Sequence, residues 1–268
     1  MSILQVLLLF GVGLVIGLYD AVVGSGGLAL MGVLSISGLP PHVAIGTMRL
    51  LSLVQEGVAL VAFLKRKLID VKLSLLLGGL ASLASGLGAI LVFRVSDTTL
   101  TPMIAVLMLL LAFAIPILHS KTKTFRSIYV LRSVYKNLID ESAIETIPQK
   151  RIILLMGIFI LLGLYGGFYG AGFGTFSLIA FTTIGGMKLL RGAGNSRLVG
   201  FLMSLAATGI FLSKGAIAWN FFFPLGLGTV LGSWYGVALA DKLGSKYMKI
   251  LLTLVVVATA IKLLLDVV

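Results

Sequence analysis

The sequence predicts an all-α polytopic membrane protein built from two inverted-topology repeats. Each repeat has about five helical segments, including a Gly-interrupted, short helix pair. Three observations carry this prediction. Of 268 residues, 59% are hydrophobic and 11% charged, against roughly 25% charged in a soluble domain, and mean hydropathy is +1.15. A glycine-rich stretch, Gly17–Gly27, returns as Gly163–Phe173, both reading Gly-Leu-Tyr, four residues, then Gly-Ser/Ala-Gly. Arg49 and Arg197, the two arginines inside apolar segments, fall in register when the halves are aligned.

A bilayer core of ~30 Å takes about 20 apolar residues to cross as helix. Residues 3–23 supply the first span, with no Lys or Arg before Arg49, so they lack the charged region of a cleaved signal peptide. Residues 25–38 are apolar but short and stop at Gly38-Leu39-Pro40-Pro41. Residues 43–64 form the third segment, expected to break early at Gly46-Thr47 and ended by Lys65-Arg66-Lys67. Spans over 70–93 and 99–118 close a first repeat, residues 1–118. A basic connector, 119–151, follows. The second repeat, 152–268, runs through 152–172, a short 174–187, then 192–213, 217–240 and 246–265. Glycine at the density of the repeated stretch weakens a helix by up to ~1 kcal/mol per residue relative to alanine. In a bilayer such a break persists only against protein or a water-filled cavity.

The alignment extends past the glycines. Arg49 and Arg197, Gly78 and Gly226, Ser85 and Ser233, and Gly88 and Gly236 all share an offset of 148 positions, against 146 for the glycine stretch. The positive-inside rule places Lys65–Lys67, the connector, Lys188, Arg191 and Lys242–Lys249 in the cytoplasm. Both termini are then outside, and the second repeat is inverted relative to the first. The net charge of +12 is read through this distribution and not as a nucleic-acid footprint. With no Cys, disulfides and thiolate metal sites are excluded.

Paired Gly-interrupted segments in two halves point to a transporter binding site. Helices starting at Ser25 and Ala171 would aim backbone N–H groups at the membrane midplane, a geometry that attracts anions. The expected substrate contacts are Gly24, Ser25, Gly26, Gly27, Thr47 and Arg49 from the first half. Gly170, Ala171, Gly172, Asn195 and Arg197 complete the set from the second. An arginine inside a membrane helix costs at least ~2.5–3.5 kcal/mol on insertion scales, and its fork of donors matches an oxyanion. Close helix packing through small residues, and snorkelling of the arginines, are the plainer readings. Thr47 and Asn195 serve equally as ligand contacts or as helix caps. Asp20 and Glu56 are the acids inside apolar segments, with Gly166 and Ser204 at the equivalent positions, and are the candidates for proton coupling. A static ion pair of Glu56 with Arg49, two turns away on one face, is the alternative for Glu56. No metal-binding or Walker spacing is present, so no metal or cofactor is expected, and no catalytic residue either.

Two apolar halves, each with a Gly-x-Gly segment, a short helix and an Ala-x-Gly-Thr-like motif, resemble the sulfite exporter TauE/SafE family. The matching residues are Gly24-Ser25-Gly26-Gly27 with Ala44-Ile45-Gly46-Thr47, and Gly170-Ala171-Gly172 with Gly192-Ala193-Gly194-Asn195. Asn195 stands in place of a threonine and Phe173 in place of a glycine. Gly185-Gly186 follows the second short helix where the first has Pro40. The resemblance implies a cell-membrane secondary transporter exporting sulfite or a related sulfur-containing anion, such as an organosulfonate. It implies no ATP-binding domain, and a homodimer is one open assembly. An intramembrane enzyme acting on a lipid pyrophosphate, limited to Asp20, Glu56 and Ser25 for its chemistry, and an anion channel are the competing readings.

Overall fold

The structure is a computed structural model describing residues 1–23, 26–121 and 148–239. The central connector, the last expected span (246–265) and the positions of Gly24 and Ser25 lie outside the described residues. Within them the chain is helical throughout. The helices are α1 (Ile3–Val23), α2 (Gly26–Ile36), α3 (Pro41–Lys65), α4 (Val71–Val92) and α5 (Asp97–Lys121). After the connector come α6 (Gln149–Phe168), α7 (Phe173–Ile179, continued by a π-helical turn over Ala180–Ile184), α8 (Leu189–Ser213) and α9 (Trp219–Leu239).

Five of these are long and apolar enough to cross a membrane: α3, α4, α6, and the parts Asp97–Ala114 of α5 and Leu190–Ser213 of α8. With 11 residues, α2 reaches ~16 Å at ~1.5 Å per residue. That is short of a ~30 Å bilayer core, and α7 with its π turn is similarly short.

The sequence sorts each helix by size as much as by polarity. On α4, Leu75, Leu76, Leu83, Leu87 and Leu91 face outward, whereas Gly78, Ala81, Ser85 and Gly88 are buried. In lipid an outward leucine costs nothing, and small residues inside let backbones approach closely. The closest approaches recur at the repeat offsets. Gly17 of α1 lies on the Thr229 carbonyl of α9, and Gly163 of α6 lies on the Ala81 carbonyl of α4; a Cβ at either glycine would overlap that carbonyl. Each opening helix therefore packs in the same direction along the fourth helix of the other half.

The equivalent helices α3 and α8 run antiparallel. Gly46 meets Phe211 and Ala216, Gly57 meets Phe201, and Gly194 meets Phe63 and Leu68. This pairing gathers Lys65, Arg66, Lys67, Lys188 and Arg191 at one end of the bundle. Arg94 and Lys214 end helices at the other.

One expectation is corrected. Neither Gly46-Thr47 nor Gly194-Asn195 interrupts its helix: α3 and α8 are continuous through both. The glycines answer a packing demand. A Cβ at Gly46 would strike the Ala216 carbonyl and the Phe211 ring, and one at Gly194 would crowd the Leu68 carbonyl. Pro41 opens α3 at its first turn, where its missing N–H has no helical partner to lose. Asp70 caps α4 by accepting from the Leu73 N–H at 3.1 Å.

Candidate functional site

The two glycine-rich breaks meet. Gly27, in the first turn of α2, lies against Ala171, where an added Cβ would sit 3.6 Å from the Ala171 Cα. Between α6 and α7 the backbone turns through Gly170 (φ 77°) and Gly172 (φ 82°), left-handed conformations that favour glycine. The turn is pinned by Tyr165, whose Oη donates to the Ala171 carbonyl at 2.5 Å. Ala171 is fully buried. Helix α7 starts at Phe173, two residues after the expected start at Ala171.

Each intramembrane arginine reaches the break of the opposite half. Arg49 of α3 lays its guanidinium on Gly170, leaving no room there for a Cβ. Arg197 of α8 reaches Asp20, at the end of α1, with Nη1 3.7 Å from Oδ2. Asp20 in turn accepts from the Gly26 N–H through Oδ1 at 2.7 Å, so a first-turn N–H of α2 is already satisfied from within the protein.

The two arginines differ in their neutralisation. Arg197 Nη1 donates to Glu56 Oε2 at 3.2 Å, and with Asp20 beside it the cation has two carboxylates. Arg49 is only 2% exposed, yet its Nε and Nη2 have no hydrogen-bond partner among the described residues. The equivalent positions account for this. Where Arg197 has Asp20 and Glu56, the repeat gives Arg49 only Gly166 and Ser204. Glu56 thus pairs with the arginine of the other half and not with Arg49 on its own helix. A buried cation with unmet donors, beside a turn of bare glycine backbone, has the chemistry to receive an anion.

Thr47 and Asn195 have other partners. Thr47 Oγ1 accepts from the Ala218 N–H at 2.8 Å and donates to the Val43 carbonyl at 2.8 Å. Asn195 Oδ1 accepts from the Asp70 N–H at 3.0 Å and from Ser74 Oγ at 2.5 Å, while its Nδ2 donates to the Arg191 carbonyl at 2.7 Å. Asp70 and Ala218 are themselves equivalent positions, each just before a fourth helix, so these two side chains make the same tie twice. Four residues had not been singled out from the sequence. Tyr165 holds the turn, and Tyr169, Thr175 and Ser196 are buried with hydroxyls lacking a partner among the described residues. The two tyrosines sit inside the repeated glycine stretch, which is the signal that could have found them.

Residues 9–263 match the family model described as sulfite exporter TauE/SafE. Among curated proteins the chain is similar to a probable membrane transporter protein, ORF9, from a Sinorhizobium species, 27% identical over 96% of this chain and 92% of the relative. It is likewise similar to a probable membrane transporter protein of Haemophilus influenzae, 27% identical over 90% and 88% of the two chains. A third relative, the probable membrane transporter protein YfcA of Escherichia coli K12, is 25% identical over 96% and 89%. No solved structure matches. A family match over nearly the whole chain, relatives named as transporters and a bundle of membrane-length apolar helices agree: this multi-pass membrane protein belongs to the TauE/SafE family of transporters.

Proposed function

We propose that the protein is a secondary carrier for sulfite or a related sulfur-containing anion, working by alternating access and exporting its substrate when it accumulates inside the cell. The observation that carries the reading is Arg49: a buried guanidinium whose Nε and Nη2 have no partner among the described residues, laid on the glycine turn of the opposite half. Residues 1–118 and 152–268 act as the two repeats. The antiparallel course of the equivalent helices α3 and α8 supports their inverted orientation. The basic end of the bundle, with the connector 119–151, faces the cytoplasm of the cell membrane, and both termini face out.

Substrate oxygens meet Arg49 and the backbone of Gly170–Gly172 and Gly27, with Gly24, Ser25 and Gly26 completing the first break. Thr47 and Asn195 hold the helices that present these groups. Alternating access at such a site is rocking of one repeat against the other, which exposes the junction of the two breaks to each side in turn.

Thermal unfolding of the detergent-solubilised protein tests the site. Sulfite is expected to raise the Tm of the wild type and to leave Arg49→Ala unshifted, with the unliganded variant melting no lower than the wild type. Full sulfite stabilisation in Arg49→Ala would overturn the reading.

A further inference from the structure

We infer that Arg197 is a second anion contact, held shut in this conformation by Glu56, and that a proton on Glu56 opens it, so that anion and proton move together. This rests on the anion reading of the preceding subsection and assigns the coupling to one of the two acids.

The geometry separates Glu56 from Asp20. Both oxygens of Asp20 are committed, Oδ1 to the Gly26 N–H at 2.7 Å and Oδ2 toward Arg197 at 3.7 Å. Gly26 is packed so tightly on Asp20 that an added Cβ would fall 2.7 Å from the Asp20 Cβ. Asp20 is a fixed cap. Among the described residues Glu56 holds Arg197 through one oxygen, Oε2 at 3.2 Å. Its Oε1 lies over Gly200, where an added Cβ would come within 3.2 Å and where glycine supplies no donor side chain. A longer side chain on a single contact can leave; a doubly anchored one cannot.

Charge gives the direction of the exchange. Glu56 interacts with Arg197 from α8, Asp20 from α1 and Arg49 from its own helix. Of the other elements packed on α3, α2 carries no ionisable side chain, α9 carries Tyr235, which is exposed, and α5 opens with Asp97, held at the far end by His42 at 3.0 Å. The α7 segment beside Glu56 carries none. Two arginines and two carboxylates therefore form a neutral group at depth. An anion entering alone would leave net negative charge in a medium that penalises it. A proton bonding to Glu56 Oε2 releases the Arg197 N–H for an anion oxygen and, for a singly charged anion such as hydrogensulfite, restores neutrality. When the anion departs, Glu56 returns the proton to water and takes Arg197 back.

The experiment uses the full chain in proteoliposomes with radiolabelled sulfite, following exchange at equal pH and accumulation under an imposed gradient. For one proton moved with a singly charged anion, one pH unit, acid outside, sustains about tenfold accumulation inside in the wild type. Glu56→Gln is expected to keep exchange while losing gradient-driven accumulation. Gradient-driven accumulation in Glu56→Gln at the wild-type level would overturn the inference, as would wild-type exchange insensitive to the gradient, which leaves the anion reading standing. No wild-type exchange, or exchange that survives Arg49→Ala, would instead defeat the anion reading itself. Ser204→Glu provides a second variant should Glu56→Gln not fold. It puts a carboxylate at the matching place beside Arg49, so exchange should fall at least about tenfold at pH 7.5 and recover at pH 5.5. A pH dependence of exchange that matches that of the wild type counts against the inference.

Discussion

Arg49 and Arg197 occupy equivalent positions and have opposite energetics. Arg197 is one member of a buried cluster with two carboxylates, and removing one partner of such a cluster leaves the others uncompensated, typically at a cost of ~3–5 kcal/mol. Arg49 Nε and Nη2 have no hydrogen-bond partner among the described residues, so its removal breaks no such bond. Arg197→Ala should therefore unfold at a markedly lower temperature than the wild type in detergent, and Arg49→Ala should not; equal losses would contradict this account. The sequence made both arginines visible, and with Gly166 and Ser204 it also held the reason for their difference. What it could not show is the partner. For an ion pair the sequence offers Glu56 only Arg49, seven residues back on the same face, because a sequence displays neighbours along a helix and hides those across a helix pair.

The helices and their order are legible in the apolar runs, and the observed ends fall within a few residues of the expected ones. The continuity of α3 and α8 was not legible. Glycine in an apolar helix is ambiguous between a break and a close approach, and only the partner decides. At Gly46 the partner is the Ala216 carbonyl; at Gly170 and Gly172 the positive φ shows a true turn. Thr47 then reads as a tie, supplying an acceptor to the Ala218 N–H just before α9. Thr47→Val keeps the shape and removes that acceptor, so it should destabilise the protein by ~1–3 kcal/mol, the usual cost of a buried unmet donor. Sulfite stabilisation of the folded variant should persist. A variant as stable as wild type would show that water or a shift of the 216–218 loop replaces the bond.

Across the whole molecule, each half supplies an arginine to the glycine break of the other. The proposed substrate contacts would therefore come from both halves, and movement of one against the other would remake them. The basic loops put Lys65–Lys67 on one side with Lys188 and Arg191, and the antiparallel pairing of α3 and α8 gathers these residues at one end. The exchange of opening helices between halves was not announced, since it follows from carbonyls meeting glycines across helix pairs. Because the chain has no Cys, single introduced cysteines report orientation directly. In intact cells Lys214→Cys should react with a membrane-impermeant maleimide and Lys67→Cys should not; the reverse pattern would invert the proposed orientation.

The most direct test of the central claim is saturable sulfite counterflow in proteoliposomes, comparing wild type with Arg49→Ala. The account predicts counterflow that saturates in the wild type and disappears in the variant, with folded protein confirmed in both. Counterflow that persists at the wild-type rate without Arg49 would contradict it.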